Sequence, residues 1–362
     1  MIEADVIIIG AGPAGATAAL NLAPLRRVLV VERLERPADR IGESLAPAAR
    51  RLLADMGLWD DFLQDGHSPC YVARSVWGNS AAIERDSLAD LDGHGWHLDR
   101  VRFESRLRET AEARGAALLA PARLAGLDRS GDGWVARVRH RASTFTVQAK
   151  IVIDCGGRMS GLLKPFGGRR RTRDRLICGW LVGLAAGPGG RGGATFTESD
   201  ADGWWYTARL PTGRRVLAWH TDADLPAAAI LGDRSALVEK AGRSPTLAAE
   251  IADACFLGAE PPRVIAASSS TLTPPAGDGW LAAGDSAMSF DPLSAQGLFH
   301  ALHTGLAAAE AADRALSGDG SAFASYSSSL ARIDLAYRRN LAAWYRLERR
   351  WPRAEFWRRR SD

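Results

Sequence analysis

Apolar residues fall into three kinds of run along this chain, and their periods predict its elements. Short unbroken runs bounded by glycine or an acid, Val6–Ile9, Val28–Val31, Ile151–Ile153 and Trp280–Ala283, suit strands buried on both faces of a parallel sheet. Helical spacing marks Ala14–Leu22 and Leu298–Leu316. It also marks Pro47–Leu63, through Leu52, Leu53, Met56, Leu58, Trp59 and Phe62. A further helix opens at Leu98 and runs to about Arg114, with Phe103, Leu107 and Ala111 on one face and Gly115 as its stop. Ser235–Phe256 reads as helical, and two amphipathic stretches follow the Gly318–Gly320 link. Alternation predicts exposed-edge or antiparallel strands at Tyr71–Trp77 and in a small meander. The meander comprises Leu118–Leu119, Ala122–Leu127, Trp134–Arg139 and Phe145–Val147, with Gly131-Asp132-Gly133 as a hairpin turn. Leu176–Ala186, Ala194–Glu198, Gly203–Arg209 and Arg215–Thr221 read the same way, and their alternation puts Trp204 and Tyr206 on one face and Trp205 on the other.

These elements imply an α/β chain built on a Rossmann-type parallel sheet, into which a mostly antiparallel sheet is inserted. Residues 1–66, 98–160 and 264–316 form a discontinuous binding domain, and 67–97 with 161–263 form a substrate domain. Residues 317–362 form a C-terminal helical segment.

The first strand runs into Gly10-Ala11-Gly12-Pro13-Ala14-Gly15, a G-x-G-x-x-G pattern at the mouth of a helix. The first glycine allows the tight turn, the second lets backbone approach a pyrophosphate, and the third lets helix and strand pack closely. The helix N-terminus offers free N–H groups and a positive dipole end. Glu32 ends the second strand about 20 residues on, where an acid accepts hydrogen bonds from a ribose diol. Strand, glycines, helix, strand and acid in this order predict a dinucleotide with an unphosphorylated ribose, although Arg33 beside the acid weakens the exclusion of a phosphorylated one.

Composition narrows the picture little. The chain has 362 residues, 46% hydrophobic and 24% charged, ordinary for a globular protein with two or three domains. A net charge of +4 is too mild to point to nucleic acid. The aromatic and arginine-rich tail around Trp351–Arg360 is expected to pack its rings on the body and leave its arginines solvated. No leader pattern precedes the first strand and no apolar run reaches about 18 residues, so a cytoplasmic protein without a membrane span is expected. Cys70, Cys155, Cys178 and Cys255 are scattered, which suggests reduced thiols and no metal site. Candidate polar groups for a substrate cleft are Glu43 and Ser44 in Gly42-Glu43-Ser44, and His94 and His97 in Gly93-His94-Gly95-Trp96-His97. Ser44 reads equally well as a helix cap.

Two more glycine motifs line up with the first: Gly156-Gly157-Arg158-x-Ser160 after Asp154, and Gly284-Asp285 after the Trp280 strand. Together with Arg100-x-x-Phe103-x-x-x-Leu107 they resemble the three fingerprints and the arginine helix of group A flavoprotein monooxygenases, which have a glutathione-reductase-like FAD domain. The resemblance covers nearly the whole chain. It implies FAD, with Glu32 on the adenosine ribose, Gly12 and Ala14 against the pyrophosphate, and Gly10, Pro13 and Gly15 completing that cofactor-binding turn. It places Arg100 on the phosphates or ribityl chain and Asp285 on the ribityl hydroxyls. Arg33, Ser44, Leu124, Asp154, Gly156, Gly157, Ser160 and Gly284 complete the nucleotide side, and Pro292, Ala295, Gln296, Gly297 and Leu298 run beside the isoalloxazine.

Gly42-Glu43-Ser44, Gly95-Trp96-x-Leu98-Asp99-Arg100 and Asp291-Pro292-Leu293-Ser294-x-Gln296-Gly297 are similar to the tryptophan-halogenase-like branch. The tail Arg349-Arg350-Trp351-Pro352 to Phe356-Trp357-Arg358-Arg359 looks like the non-halogenating members that hydroxylate protein-bound tryptophan during tryptophylquinone maturation. The departures from halogenases agree. No lysine occurs before Lys150, Trp204-Trp205-Tyr206-Thr207-Ala208-Arg209-Leu210-Pro211 lacks the Trp-x-Trp-x-Ile-Pro pattern, and Ser294 stands where halogenases carry a glutamate. The resemblance therefore implies hydroxylation of an aromatic, indole-like substrate, free or carried on a peptide, through a flavin C4a-hydroperoxide. NAD(P)H would act directly or through a separate flavin reductase. Glu43, His97, Trp205, Tyr206, His220 and Gln296 are the candidates around the reacting ring. A reductase similar to geranylgeranyl reductases, a halogenase, and an FAD-fold escort protein without catalysis are the competing expectations.

Overall fold

The computed structural model describes residues 2–87, 91–187, 193–258 and 260–361. Two sheets of eight strands each organise the chain. In the first, Ile2–Ile9 lies between Val28–Val31 and Ser143–Asp154, all parallel, with Ala117–Leu119 outside one and Trp280–Ala282 outside the other. Val28–Val31 is buried at every position, as an unbroken apolar run flanked by helices requires. The helix Pro13–Leu22 packs against this sheet, with Arg100–Ala113 and Gly297–Leu316 against it in turn. Asp99 caps Arg100–Ala113 by accepting a hydrogen bond from the Arg102 amide, and Gly115 closes it with φ +103°.

The runs Phe145–Val147 and Ile151–Ile153 are one continuous strand, Ser143–Asp154. Its outer half pairs antiparallel with Gly133–His140, and from Val147 onward it pairs parallel with Ile2–Ile9. Two predicted helices are each split. Pro47–Leu63 becomes Ala49–Asp55 and Trp59–Gln64, broken where Gly57 turns at φ +67°. Ser235–Phe256 becomes Arg234–Gly242 and Pro245–Ile251, because Ser244 caps a second start, and the chain then returns as the strand Ala254–Cys255.

The second sheet runs Ala254–Cys255, Leu176–Ala185, Arg214–Asp222, Gly203–Arg209, Ala194–Asp200, Val72–Val76, Ile83–Asp86, with Arg263–Ala266 also on Leu176–Ala185. It is antiparallel except where Val72–Val76 meets Ala194–Asp200. Its two faces belong to different cores. Trp205, Leu217 and Trp219 pack outward with Leu237 and Leu247 of the short helices. Trp204, Tyr206, Val216 and Ala218 face inward with Ile41, Leu293, Tyr345 and Phe356.

The long helix Ala322–Leu347 and the final helix Glu355–Ser361 close this inner side. The rings of Phe356 and Trp357 are buried, as expected, but Arg360 is not solvated. It forms a bidentate pair with the buried Asp222 and lies over the rings of Phe356 and Tyr345. Among the described residues, no helix is long and apolar enough to cross a membrane.

Candidate functional site

The nucleotide end is built by the first strand and helix. Gly10 sits at φ +100°, where a side chain is strained, and a Cβ on Gly15 would lie far inside contact distance of the Gly10 carbonyl. Gly12 has open space where its Cβ would project. The helix behind it starts at Pro13 with no side-chain cap and no acid in its first turn. Uncapped N–H groups facing open space form a cradle for an anion. Ala14 packs tightly against Gly284, which brings the first and third glycine motifs together.

Glu32 is buried beside this cradle. Its Oε2 accepts from the Ala11 amide at 2.7 Å and its Oε1 from the Leu34 amide at 2.8 Å. Arg108 braces the same turn, donating to the Ala11 carbonyl at 2.8 Å and the Leu34 carbonyl at 3.2 Å, with Glu32 at 3.7 Å. Sequence reasoning missed Arg108. Its spacing of four and eight residues from Glu104 and Arg100, one stripe of the helix, was the available signal. Arg33 is exposed, and Leu124 packs part-buried against the first core.

Asp154 ends the neighbouring strand and ties the second motif to the third. Its Oδ1 accepts from the Gly156 amide at 2.9 Å and from Ser286 Oγ at 3.2 Å, and its Oδ2 from Ser160 Oγ at 2.6 Å. Ser286 Oγ also accepts from the Gly157 amide at 2.8 Å. Arg170 donates to the Asp285 and Ser286 carbonyls, and Arg158 approaches the part-exposed Asp285 carboxylate at 3.6 Å.

Arg100 leaves the start of its helix, donates to the Gly42 carbonyl at 2.6 Å and pairs with Glu104 at 2.5 Å. Its Nε is buried without a hydrogen-bond partner among the described residues. An unsatisfied guanidinium donor calls for an acceptor there. The open glycine cradle, the uncapped helix, the buried Glu32 and this free donor together fit FAD.

A cleft of about 160 Å³ lies where the two sheets meet. Its walls include Ile41, Glu43, Leu98, Arg100, Trp180, Val182, Leu210 and Val216. Trp180 is a wall residue that sequence reasoning missed. It stands on Leu176–Ala185 with the Arg263 guanidinium 5.3 Å from its ring centre.

Glu43 is buried on this wall. Tyr206 donates to its Oε1 at 2.6 Å, the Gly42 amide donates to its Oε2 at 2.9 Å, and Ser44 Oγ lies 2.9 Å from the Tyr206 hydroxyl. Burial pushes the Glu43 carboxyl above its ordinary range, opposed by the hydrogen bond from Tyr206. Burial and the neighbouring Glu43 charge raise the Tyr206 phenol well above its own. Ser44 is thus a strand residue bonded to Tyr206, not a helix cap.

The other candidates divide. His97 is opposite Ser44 in register, fully buried, and neither ring nitrogen has a hydrogen-bond partner among the described residues. Burial, with the Arg215 charge, lowers its pKa to about 4. His220 stacks on Trp204 at 3.6 Å between ring centres, and burial lowers its pKa to about 3. Both imidazoles are neutral at neutral pH. His94 meets Tyr71 edge-on at 4.8 Å between ring centres and lies tilted against Trp96 at 4.7 Å.

Trp205 is not brought to this cluster. It lies on the outward face, 5.7 Å from Trp219, with its Nε1 donating to Asp200. Gln296 is exposed at the entry of Gly297–Leu316, in a turn with Pro292, Ala295 and Gly297 also exposed and Leu298 buried. Ala295 holds φ +51°, a conformation costing a non-glycine residue roughly 1 kcal/mol.

The family model described as FAD binding domain matches residues 3–329. LodB of Marinomonas mediterranea, which carries the name of an FAD-dependent oxidoreductase, is 31% identical over 98% of this chain and 96% of its own length. The fold is that of the myxobacterial chondrochloren halogenase CndH, with a TM-score of 0.91 at 23% identity over 100% of this chain and 86% of the other. The peptidyl tryptophan dihydroxylase QhpG, which serves tryptophylquinone cofactor biogenesis, aligns with a TM-score of 0.80 at 26% identity, over 99% of this chain and 78% of its own.

Proposed function

This chain belongs to the FAD binding domain family and is an FAD-dependent oxidoreductase, and we propose from that premise that it hydroxylates an electron-rich aromatic ring, an indole carried on a peptide. The observation that carries this reading is the buried Glu43–Tyr206–Ser44 cluster on the wall of the cleft between the two sheets. FAD, when bound, supplies the oxygen-activating chemistry.

The chain's own residues do the rest. Ile41, Leu98, Trp180, Val182 and Val216 exclude water and hold a flat apolar ring. Glu43 Oε1 takes the proton that the ring carbon loses when aromaticity returns. Tyr206 and the Gly42 amide aim the carboxylate, and its raised pKa makes it a stronger base than an exposed glutamate. The named activity of QhpG, peptidyl tryptophan dihydroxylation, supports the substrate class.

Halogenation lacks its residue. Lys150 and Lys164 are exposed away from the cleft, and Lys240 lies over Trp219 on the outward face. The reductant is NAD(P)H, used directly or through a separate flavin reductase.

Stopped-flow mixing of the photoreduced holoprotein with O₂, with and without a tryptophan-containing peptide, tests the reading. A transient band distinct from both reduced and oxidised forms, and a peptide that gains oxygen, are expected. Monophasic reoxidation with unaltered peptide would sink hydroxylation and favour a reductase.

A further inference from the structure

Helix Ala322–Leu347 reaches the turn at 292–297 through two tyrosines. Tyr345 donates to Asp291 Oδ2 at 2.7 Å, and the Tyr337 hydroxyl accepts from the Asp291 amide at 2.7 Å while sharing a hydrogen bond with Ser269. Asp291 in turn shapes the loop. Its Oδ1 accepts from the Leu293 amide at 2.9 Å, and its carbonyl accepts from Ser294 Oγ at 2.8 Å. Those bonds wind Pro292–Ser294 into a tight turn that leaves Ala295 in the left-handed region. Asp291 and Tyr345 are both buried, so neither bond is shared with bulk water.

Tyr345 is held from its other side. The Arg360 guanidinium lies 5.2 Å from its ring centre and pairs with Asp222 at 2.6 Å. Asp222 ends Arg214–Asp222, the strand whose Val216 lines the cleft. The C-terminal helices therefore join the end of a cleft strand to the head of the 292–297 turn, through Asp222, Arg360, Tyr345 and Asp291 in sequence.

We propose that Tyr345 is a positioning residue for the cofactor: through Asp291 it holds the 292–297 turn in the shape that receives the isoalloxazine. The proposal rests on the reading that FAD lies beside this turn. A buried hydrogen bond between neutral and charged partners is among the stronger single contacts, and its loss leaves Asp291 Oδ2 without its donor and the turn free to relax. The adenosine end is untouched by that loss, because Glu32, Gly12 and the first helix contact neither tyrosine in the hydrogen-bond network above.

The test uses the full chain reconstituted with FAD. Affinity is read by flavin fluorescence, and the environment of the ring by visible circular dichroism. Tyr345→Phe and Asp291→Asn should each weaken FAD binding about fivefold and shift the visible dichroism of the bound flavin. The double variant should match Asp291→Asn alone. Ser199→Ala is the control. It removes the Ser199 contact to Glu348 that anchors the same C-terminal segment, so it should lower the melting temperature yet keep wild-type affinity and dichroism. Wild-type dichroism in Tyr345→Phe, additive effects in the double variant, or the same shift in Ser199→Ala would each overturn the proposal. A wild-type protein that binds no FAD would overturn the cofactor reading as well, which separates the two failures.

Discussion

Trp204, Trp205 and Tyr206 are consecutive residues of one strand, and they end in two different environments. The inward face places Tyr206 on the Glu43 carboxylate and stacks Trp204 on His220, in a cluster where burial shifts titratable groups away from their ordinary values. The outward face pairs Trp205 with Trp219, gives both indole N–H groups to Asp200, and closes that carboxylate with Lys240. Outward, every named donor has its acceptor and the charges cancel. Inward, among the described residues, His97 has no hydrogen-bond partner for either ring nitrogen, and the buried Glu43 is held by hydrogen bonds from Tyr206 and the Gly42 amide with the Arg100 charge nearby. The difference teaches that aromatic content does not mark the site. Incomplete polar satisfaction beside a cleft does.

The comparison can be broken most sharply at Glu43. Glu43→Gln keeps the shape and the Gly42 contact but removes the base, so kcat should fall about 10²- to 10⁴-fold with the melting temperature little changed, as rapid-quench product analysis and thermal unfolding would record. An unaltered kcat would move catalysis away from the inward face.

Trp205→Ala should do the reverse. Truncating a buried tryptophan costs about 3–5 kcal/mol of stability, measurable by urea unfolding, whereas the FAD affinity of the fraction that remains folded should match wild type. Loss of FAD affinity in that folded fraction would show that the outward core also shapes the site.

The histidines give an intermediate effect with a defined sign. His97 and His220 have folded pKa values of about 4 and about 3, below the unfolded value of 6.5, both from burial. Below pH 6.5 the unfolded chain therefore binds more protons than the folded one. Stability from these groups is fully present above pH 6.5 and is lost as pH falls through about 4 for His97 and about 3 for His220, each group contributing at most about 1.4 kcal/mol per pH unit. His220→Gln should flatten that slope in unfolding free energy measured between pH 6.5 and 4.5. An unchanged slope would mean that His220 is already charged in the folded protein.

The smallest effect belongs to the outward face. Lys240 lies 4.5 Å from the Trp219 ring centre. Lys240→Met should cost about 0.5–1 kcal/mol by denaturant titration and leave the dichroism of bound FAD unaltered.

Much of the frame was legible because its causes are local. A four-residue apolar run, glycines at a turn, an acid at a strand end and helical spacing each act within a few residues, so Val28–Val31, Gly10–Gly15 and Glu32 stand where their patterns put them, and the helix expected from Leu98 forms as Arg100–Ala113, starting after its Asp99 cap. Alternation likewise assigned Trp204 and Tyr206 to one face and Trp205 to the other. Boundaries failed where two local signals competed. Ser244 and Pro245 restart a helix that propensity alone would continue, and Gly57 breaks another.

What lay beyond the chain pattern was which face would meet the first sheet. Trp205 and Tyr206 are equivalent by composition and period, and only the docking of the two sheets buries Glu43 against one of them. Arg360 and Tyr345 read as a solvated tail and a helix aromatic. Only tertiary packing carries Arg360 onto Asp222 and Tyr345 onto Asp291, across long sequence separations. The sequence by itself determined the cofactor cradle and the class of fold, because those follow from backbone geometry over short spans. Tertiary structure alone decided the cleft, the buried Glu43 on its wall and the helix that grips the 292–297 turn, because burial and long-range contacts are properties of assembled surfaces.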